Sequence, residues 1–215
     1  MNKTTLRKRL SVAALVAVSA LVLANPLANF SDSNFAANHY SAMTPTYGNG
    51  GPANVTIAGG KVSMLVGVTA NTGYSWRAAY VMCNWAKWDP ATQGAISKIS
   101  YKETATAQIS LGQVAVGLVL AQGTGSNVKY YRAWTPLNSG TGNQAVALNN
   151  LTAANFELMD TSFTSGNGVN VNAHPNFTAS GGPIQFGIFR MKSARTGKAE
   201  ARTTCEDWSV EVTPQ

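Results

Sequence analysis

The sequence has 215 residues, of which 45% are hydrophobic and only 12% are charged, and its formal net charge is +7. This charge content excludes a coiled coil, which needs abundant charged residues, and a charge-rich disordered chain. Twenty glycines, five tryptophans and many Thr, Asn and Ser residues are typical of an exported β protein.

The N-terminus has the layout of a secretory signal peptide. It opens with four cations, Lys3, Arg7, Lys8 and Arg9. An apolar run follows over 10–23, and small residues near Ala24 suit cleavage. The alternative is an uncleaved anchor, although the run is shorter than the about 20 residues that a membrane span needs. We predict a signal peptide over 1–24 and one exported domain over 25–215, with no membrane span after cleavage.

Removal of these four cations leaves a net charge of +3 for the predicted mature chain. Such weak basicity predicts no nucleic-acid partner. One basic cluster remains near the C-terminus, formed by Arg190, Lys192, Arg195, Lys198 and Arg202. It could contact an acidic polysaccharide or lipid headgroups. The alternative is a solvated hairpin whose cations protect a strand edge from pairing.

Short apolar runs separated by Gly, Asn and Pro predict about ten strands along the mature chain. The first clear pair is a hairpin over 54–70, and the run over 114–120 is apolar on both faces, as in a central strand. Further strands are predicted over 74–88, 94–104, 128–134, 144–148, 183–191 and 201–213. Thr152 caps one short helical turn over 151–156. The predicted fold is all-β, an antiparallel two-sheet jelly-roll sandwich with one short helical turn.

The mature region contains two cysteines, Cys83 and Cys205. Disulfides persist in exported proteins, and two cysteines allow only one pairing. We predict a Cys83–Cys205 disulfide, and the alternative is two separate buried thiols. No CxxC motif and no Cys/His cluster accompanies them, which argues against a zinc site or a thioredoxin-type centre.

Four segments carry a resemblance to a known family: 89–101 (DPATQGAISKISY), 151–156 (LTAANF), 182–190 (GPIQFGIFR) and 207–212 (DWSVEV). Their order and spacing resemble the concanavalin-like jelly-roll ectodomains of exported bacterial proteins, many of which carry a C-terminal PEP-CTERM sorting tail. The resemblance covers about residues 88–213. It implies a jelly roll exposed outside the cytoplasm, and it implies no catalytic residues. No sorting tail follows Gln215 in this sequence, so we do not expect surface retention by that route.

The resemblance also implies a structural calcium site. In related carbohydrate-binding jelly rolls, an acid before the last strand helps to bind Ca²⁺, and here that position is Glu206, followed by Asp207. Asp32, near the first strand, is a third candidate oxygen ligand. The alternative is that these acids are ordinary surface residues. We predict no other cofactor.

Catalytic signals are weak in this sequence. The mature chain has nine acids and lacks the paired strand carboxylates of laminarinase-type glycosidases. Glu157 and Asp160 come closest to a pair. His39 and His174 are the two histidines, and no G-x-S-x-G motif accompanies either. We therefore predict that the protein is not an enzyme.

The aromatic residues of the segments over 74–88 and 128–134 could form a stacking platform for sugar rings. We predict ligand contacts by Trp85, Trp88, Tyr130 and Trp134. The alternative is core filling, because jelly rolls bury large aromatics between their sheets. In a strand the adjacent Tyr130 and Tyr131 must point to opposite faces.

The leading hypothesis is an exported, non-catalytic surface or extracellular module that is glycan-binding or adhesive, with a polysaccharide or cell-surface glycan as partner. Two alternatives stay open. One is a self-associating structural subunit of an extracellular matrix or filament, and the other is a polysaccharide hydrolase or lyase on the same fold.

Overall fold

The computed structural model describes residues 27–48, 50–70, 73–159 and 168–215, so the predicted signal peptide over 1–24 lies outside it. The strands are β1 Ala28–Asp32, β2 Tyr40–Met43, β3 Thr46–Tyr47, β4 Gly50–Ala58, β5 Lys61–Ala70, β6 Ser75–Trp88, β7 Ile96–Ile109, β8 Val114–Gln122, β9 Lys129–Leu137, β10 Gly140–Leu151, β11 Glu157–Met159, β12 Val169–Asn170, β13 Ile184–Ala194 and β14 Gly197–Pro214. The helical segments of the described ranges are α1 Pro90–Gln93 and three 3₁₀ helices, Ala37–His39, Gly125–Asn127 and Ala153–Asn155.

The strands form two sheets in which neighbouring strands run antiparallel. The first sheet has the order β10-β7-β14-β5-β4, and β1 also pairs with β14. The second sheet has the order β12-β11-β9-β8-β13-β6-β2, and β3 also pairs with β6. The antiparallel two-sheet sandwich predicted from the sequence is therefore confirmed.

Alternation of side chains builds the core between the sheets. Along β5 the residues Val62, Met64 and Val66 are buried in this core, whereas Ser63 is exposed. β8 is different because all nine of its residues are buried. Its outer face lies under a second apolar cluster that includes Trp76, Tyr80, Val119, Phe189 and Met191. The prediction of a central strand that is apolar on both faces is thus confirmed, and this second cluster is the reason.

Local sequence signals explain two of the turns. Gly59 and Gly60 join β4 to β5 with φ values of 59° and 72°, a left-handed conformation that favours glycine. The predicted helical turn is the 3₁₀ helix Ala153–Asn155, where the Asn155 side chain accepts a hydrogen bond from the Thr152 backbone amide at 2.8 Å. Three other short helical segments, α1 and the 3₁₀ helices Ala37–His39 and Gly125–Asn127, were not predicted.

The predicted basic cluster is divided between the core and the surface. Arg190 and Lys192 are buried, whereas Arg195, Lys198 and Arg202 are exposed. The cluster was expected to lie on the surface as one unit, and this expectation is wrong for the first two residues. Both belong to β13, which is sandwiched between β6 and β8 in the second sheet.

The predicted Cys83–Cys205 disulfide is wrong, because both cysteines are free, buried thiols. Cys83 lies on β6 of the second sheet and Cys205 on β14 of the first sheet. Facing sheets pack about 10 Å apart, whereas a disulfide usually needs Cα atoms within about 7 Å. The Cys205 thiol instead donates a hydrogen bond to the Asp207 carbonyl oxygen at 3.1 Å. The alternative of two separate buried thiols is the one observed.

Within the described residues, no helix has the length and apolar character required to cross a membrane.

Candidate functional site

Two of the four aromatic side chains predicted to contact a ligand are prominently exposed. Trp85 is 41% exposed and Trp134 is 42% exposed. Trp88, by contrast, is 3% exposed and belongs to the core between the sheets. Its indole N–H donates to the Gly94 carbonyl oxygen at 2.9 Å, so the polar end of the ring is satisfied inside the protein. Trp88 therefore has a packing role.

The exposed aromatics do not share one platform. Trp85 lies on β6, and its ring centroid is 6.2 Å from that of Phe30 and 6.4 Å from that of Trp208. Trp134 lies on β9, which β8 and β13 separate from β6. Tyr130 also lies on β9, but it is half-buried and packs on Tyr80 with ring centroids 5.7 Å apart.

Alternation along β9 brings a cation next to the exposed tryptophan. Tyr131 and Ala133 point into the core between the sheets, so Tyr130, Arg132 and Trp134 lie on the outer face of the second sheet. Arg132 and Trp134 contribute to a groove of about 490 Å³ that runs over β8 to β13 and to the turn after it. Its other polar or aromatic lining residues include Tyr74, Gln113, Lys192, Ser193 and Arg195.

Arg132 holds the indole of Trp134 in place. The Arg132 guanidinium carbon lies 5.6 Å from the Trp134 ring centroid and 5.5 Å from that of Phe189, within the range of cation–π attraction. Arg132 Nε and Nη2 donate to one carboxylate oxygen of Glu157 at 3.1 and 3.0 Å. Because Arg132 is buried and its charge is paired, it forms a fixed support on which the exposed indole rests.

Arg195, in the turn after β13, is a second cation of the groove. Lys192 also borders the groove, but its side chain lies on the same face of β13 as that of Arg190, toward the first sheet. Lys192 Nζ donates to the carbonyl oxygens of Leu111 and Gln113, the latter at 2.7 Å. Burial lowers the pKa of the Lys192 ammonium group, since a charged group is less stable away from water. Arg195 is exposed, and none of the ion pairs found among the described residues includes it.

A larger but purely aliphatic and polar groove of about 910 Å³ crosses the outer face of the first sheet. Cross-strand neighbours on four strands, Thr56, Ser63, Thr204 and Thr106, form one of its rows. None of its described lining residues is aromatic. It therefore offers hydrogen-bonding groups without the apolar stacking surface that Trp134 provides.

The three acids predicted to bind calcium have other partners. Glu206 accepts hydrogen bonds from Lys61 and Asn143, each at 2.6 Å. Asp32 accepts the Tyr40 hydroxyl at 2.7 Å, and Asp207 accepts the Thr104 backbone amide at 2.8 Å. In the described ranges no three His, Cys, Asp or Glu side chains are grouped so that they could hold a metal ion. Asp32 and Asp207 line a common groove and Glu206 does not, so the three predicted calcium ligands are not brought together as one site.

The groups considered for catalysis are also dispersed. Glu157 forms the ion pair with Arg132, and Asp160 lies outside the described residues. His174 is exposed, and its Nδ1 lies 2.7 Å from the Phe156 carbonyl oxygen. His39 is exposed on the first 3₁₀ helix. The described residues therefore assemble no triad from these side chains.

Comparisons with known proteins find distant structural similarity only. The sequence matches no protein-family model, and no curated protein is significantly similar to it. The resemblance to PEP-CTERM-associated ectodomains thus gains no support from a family match, whereas the sandwich that it implied is present.

Three solved structures show the degree of similarity. The family 11 carbohydrate-binding module from Clostridium thermocellum is 9% identical, with 83% of this chain and 87% of that chain covered and a TM-score of 0.34. The N-terminal cellulose-binding domain of β-1,4-glucanase C from Cellulomonas fimi is 14% identical, with 82% and 92% covered and a TM-score of 0.32. The Endo-D glycoside hydrolase domain from Streptococcus pneumoniae is 12% identical, with 80% of this chain covered and a TM-score of 0.36, and this chain spans only 21% of its length. Similarity of this degree carries no information about a ligand.

Proposed function

We propose that this protein is an exported, non-catalytic glycan-binding module and that the groove at Trp134 receives a sugar ring. The observation that carries the proposal is the indole of Trp134, which is 42% exposed and lies on the buried, ion-paired Arg132 beside a groove. Binding sites commonly combine an apolar or aromatic wall with a few polar groups that fix the orientation of the ligand.

The chemistry of the groove suits a saccharide. One face of a pyranose ring presents C–H groups that pack on an aromatic ring, and its hydroxyls need hydrogen-bonding partners. Trp134 supplies the aromatic surface, and the side chains of Gln113 and Ser193 in the same groove supply amide and hydroxyl groups. Because Arg132 already fixes the indole, little side-chain entropy is lost when a ligand stacks on it.

The test compares two equally exposed tryptophans. Binding of the purified protein to a panel of soluble polysaccharides is measured by affinity electrophoresis and isothermal titration calorimetry. We expect Trp134→Ala to weaken binding at least about tenfold, which corresponds to about 1.4 kcal/mol. Trp85→Ala is the matched control and should leave the affinity unchanged. The proposal is wrong if no polysaccharide binds, or if the two substitutions have equal effects in folded variants.

A structural subunit is the second candidate, and the edges of the first sheet favour it. β4 and β10 lie at the two ends of that sheet and contain no charged residue, whereas the short β1, which pairs only with β14 among the described strands, contains Asp32. Native proteins usually protect long edge strands with charges, because free backbone groups pair with other chains. Light scattering on the same protein, without ligand, separates the candidates: assembly at micromolar concentration favours the subunit, and a monomer favours the binding module.

A further inference from the structure

We propose that the groove at Trp134 receives a linear saccharide chain of several rings, which lies along β13 with Trp134 at one end and Tyr74 at the other. This inference rests on the proposed glycan-binding function and names the class of ligand. It is carried by the length of the groove, by the side chains of its floor and by the aromatic ring at each end.

The register of the second sheet shows that the groove is long and narrow. Trp134 pairs with Gly117 of β8, which pairs with Phe189 of β13, so one end of the groove lies level with Phe189. The lining residues of β13 and its turn continue over 191–196. The groove therefore extends about six residues, or about 20 Å, along this strand. Over such a length its volume of about 490 Å³ gives a mean cross-section of about 25 Å², which suits a single extended chain and not a compact ligand.

The floor between the two ends is apolar, and it is low at its centre. Ala115 of β8 and Met191 of β13 are paired, and both belong to the second apolar cluster on the outer face of the sheet. Ala115 contributes only a methyl group, so no large side chain of β8 rises at this level. Ser193 follows Met191 by two residues and therefore points to the same side, where it adds a hydroxyl group to the lining. Sugar rings can thus pass over this floor and still find a polar partner.

A second aromatic ring lies at the far end of the groove. Tyr74 directly precedes Ser75, the first residue of β6, which pairs with Ala194 of β13. Tyr74 lines the groove and packs against the second apolar cluster, so its ring lies on the same outer face as that of Trp134. About six residues of strand separate the levels of the two rings. One pyranose ring is too short to contact both, whereas a chain of several rings can do so.

The test uses ligands that differ only in length. Linear cello-, xylo-, manno- and chito-oligosaccharides of one to six units, and the polysaccharides from which they derive, are titrated by isothermal titration calorimetry. We expect one series to bind with an affinity that rises at least about tenfold, or about 1.4 kcal/mol, from the disaccharide to the pentasaccharide. Tyr74→Ala should remove this gain and leave the disaccharide affinity unchanged, because only a long chain reaches Tyr74. Tyr74→Phe keeps the ring and should bind like the wild type.

A second variant covers the case in which Tyr74→Ala does not fold. Ser193→Leu fills the middle of the groove from a half-buried position and should lower the pentasaccharide affinity to that of the disaccharide. Trp85→Ala removes an exposed ring outside the groove and should change no affinity. Urea denaturation shows which variants are folded.

The outcomes separate this inference from the proposed function. If the affinity is the same at every length, or if the folded Tyr74 and Ser193 variants keep the gain with length, the inference is wrong. The glycan-binding module then stands if Trp134→Ala still weakens binding. A polysaccharide that binds when none of its linear oligosaccharides does also overturns the inference. If no saccharide binds, both proposals fail.

Discussion

Cys83 and Cys205 are fully buried thiols in the core, and their protonation state follows from that burial. Burial raises the pKa of the Cys83 thiol, and burial together with the nearby Glu103 raises that of Cys205 well above its usual value. Since the thiolate is the reactive form, both thiols should be inert in the native protein.

We therefore expect a thiol reagent such as DTNB to detect no thiol in the native protein and two after unfolding in guanidinium without reductant. Cys83→Ala is the control and should show one thiol after unfolding. Fewer than two thiols in the unfolded, unreduced wild-type protein would mean that a disulfide forms after all, and the intact mass would then be about 2 Da lower.

At the scale of the strands, Glu206 connects β14 with two other elements of the first sheet. A bulge between Cys205 and Asp207 leaves Glu206 unpaired in the ladder, and its carboxylate accepts hydrogen bonds from Lys61 of β5 and Asn143 of β10. These two hydrogen bonds lower the pKa of the Glu206 carboxyl group, and the bond from Lys61 has the larger effect. A carboxyl whose pKa is lower in the folded state stabilises that state above its unfolded pKa, near about 4.3, and loses this effect as the pH falls.

The prediction is that Glu206→Gln slightly lowers the denaturation midpoint at pH 7 and that the difference disappears at pH 3. The effect should be small and should decrease with salt, because the pair lies at the surface. Urea denaturation at both pH values measures it. Glu211→Gln, an exposed acid on the same strand, is the control and should show no such pH dependence. A deficit in Glu206→Gln that persists at pH 3 would contradict the assignment.

Sequence patterns predict some features of the strands and not others. Alternation along β9 predicted that Tyr130 and Tyr131 face opposite sides, and the same rule places Arg132 beside Trp134, so the support of the indole could have been found from the sequence. The bulge in β6, by contrast, could not have been found from the sequence. Four residues of β6, 83–86, lie opposite the single residue Phe186 of β13, and no local pattern marks this insertion.

The cysteine error has the same origin in tertiary structure. An even cysteine count and an exported composition predict a bridge, but pairing depends on how two strands from different sheets face each other.

The second apolar cluster as a whole was also not predicted from the sequence. Its buried members lie on outward positions of β6, β8, β13 and β11, where a two-layer sandwich alone would expose them. The run over 114–120, which is apolar on both faces, was the only sequence feature that indicated this second cluster.

For the molecule as a whole, the two outer faces have different chemistry. The outer face of the first sheet carries alternating Thr, Ser, Asn and charged side chains around a wide polar groove. The outer face of the second sheet carries an apolar cluster, and the groove at Trp134 lies beside it. Ligand recognition by stacking is therefore expected on the second sheet.

One buried ion pair joins the two sheets. Arg190 of β13 donates to both carboxylate oxygens of Glu103 of β7, at 3.1 and 2.6 Å, and to the Thr203 hydroxyl of β14 at 3.0 Å. Both charged side chains are completely buried. Removal of one partner leaves a buried charge without compensation, so Glu103→Gln should lower the free energy of unfolding by about 3–5 kcal/mol.

The double substitution Glu103→Leu with Arg190→Met should recover most of this loss, because a hydrophobic pair of similar volume avoids the cost of desolvating two charges. Urea denaturation of the wild-type, single and double variants measures the effect. A loss below about 1 kcal/mol for Glu103→Gln, or a double variant less stable than the single one, would show that the pair does not carry the contact between the sheets. Since β13 also carries Met191 and Lys192 of the groove, the folded double variant should bind saccharide like the wild type if the pair contributes to stability alone.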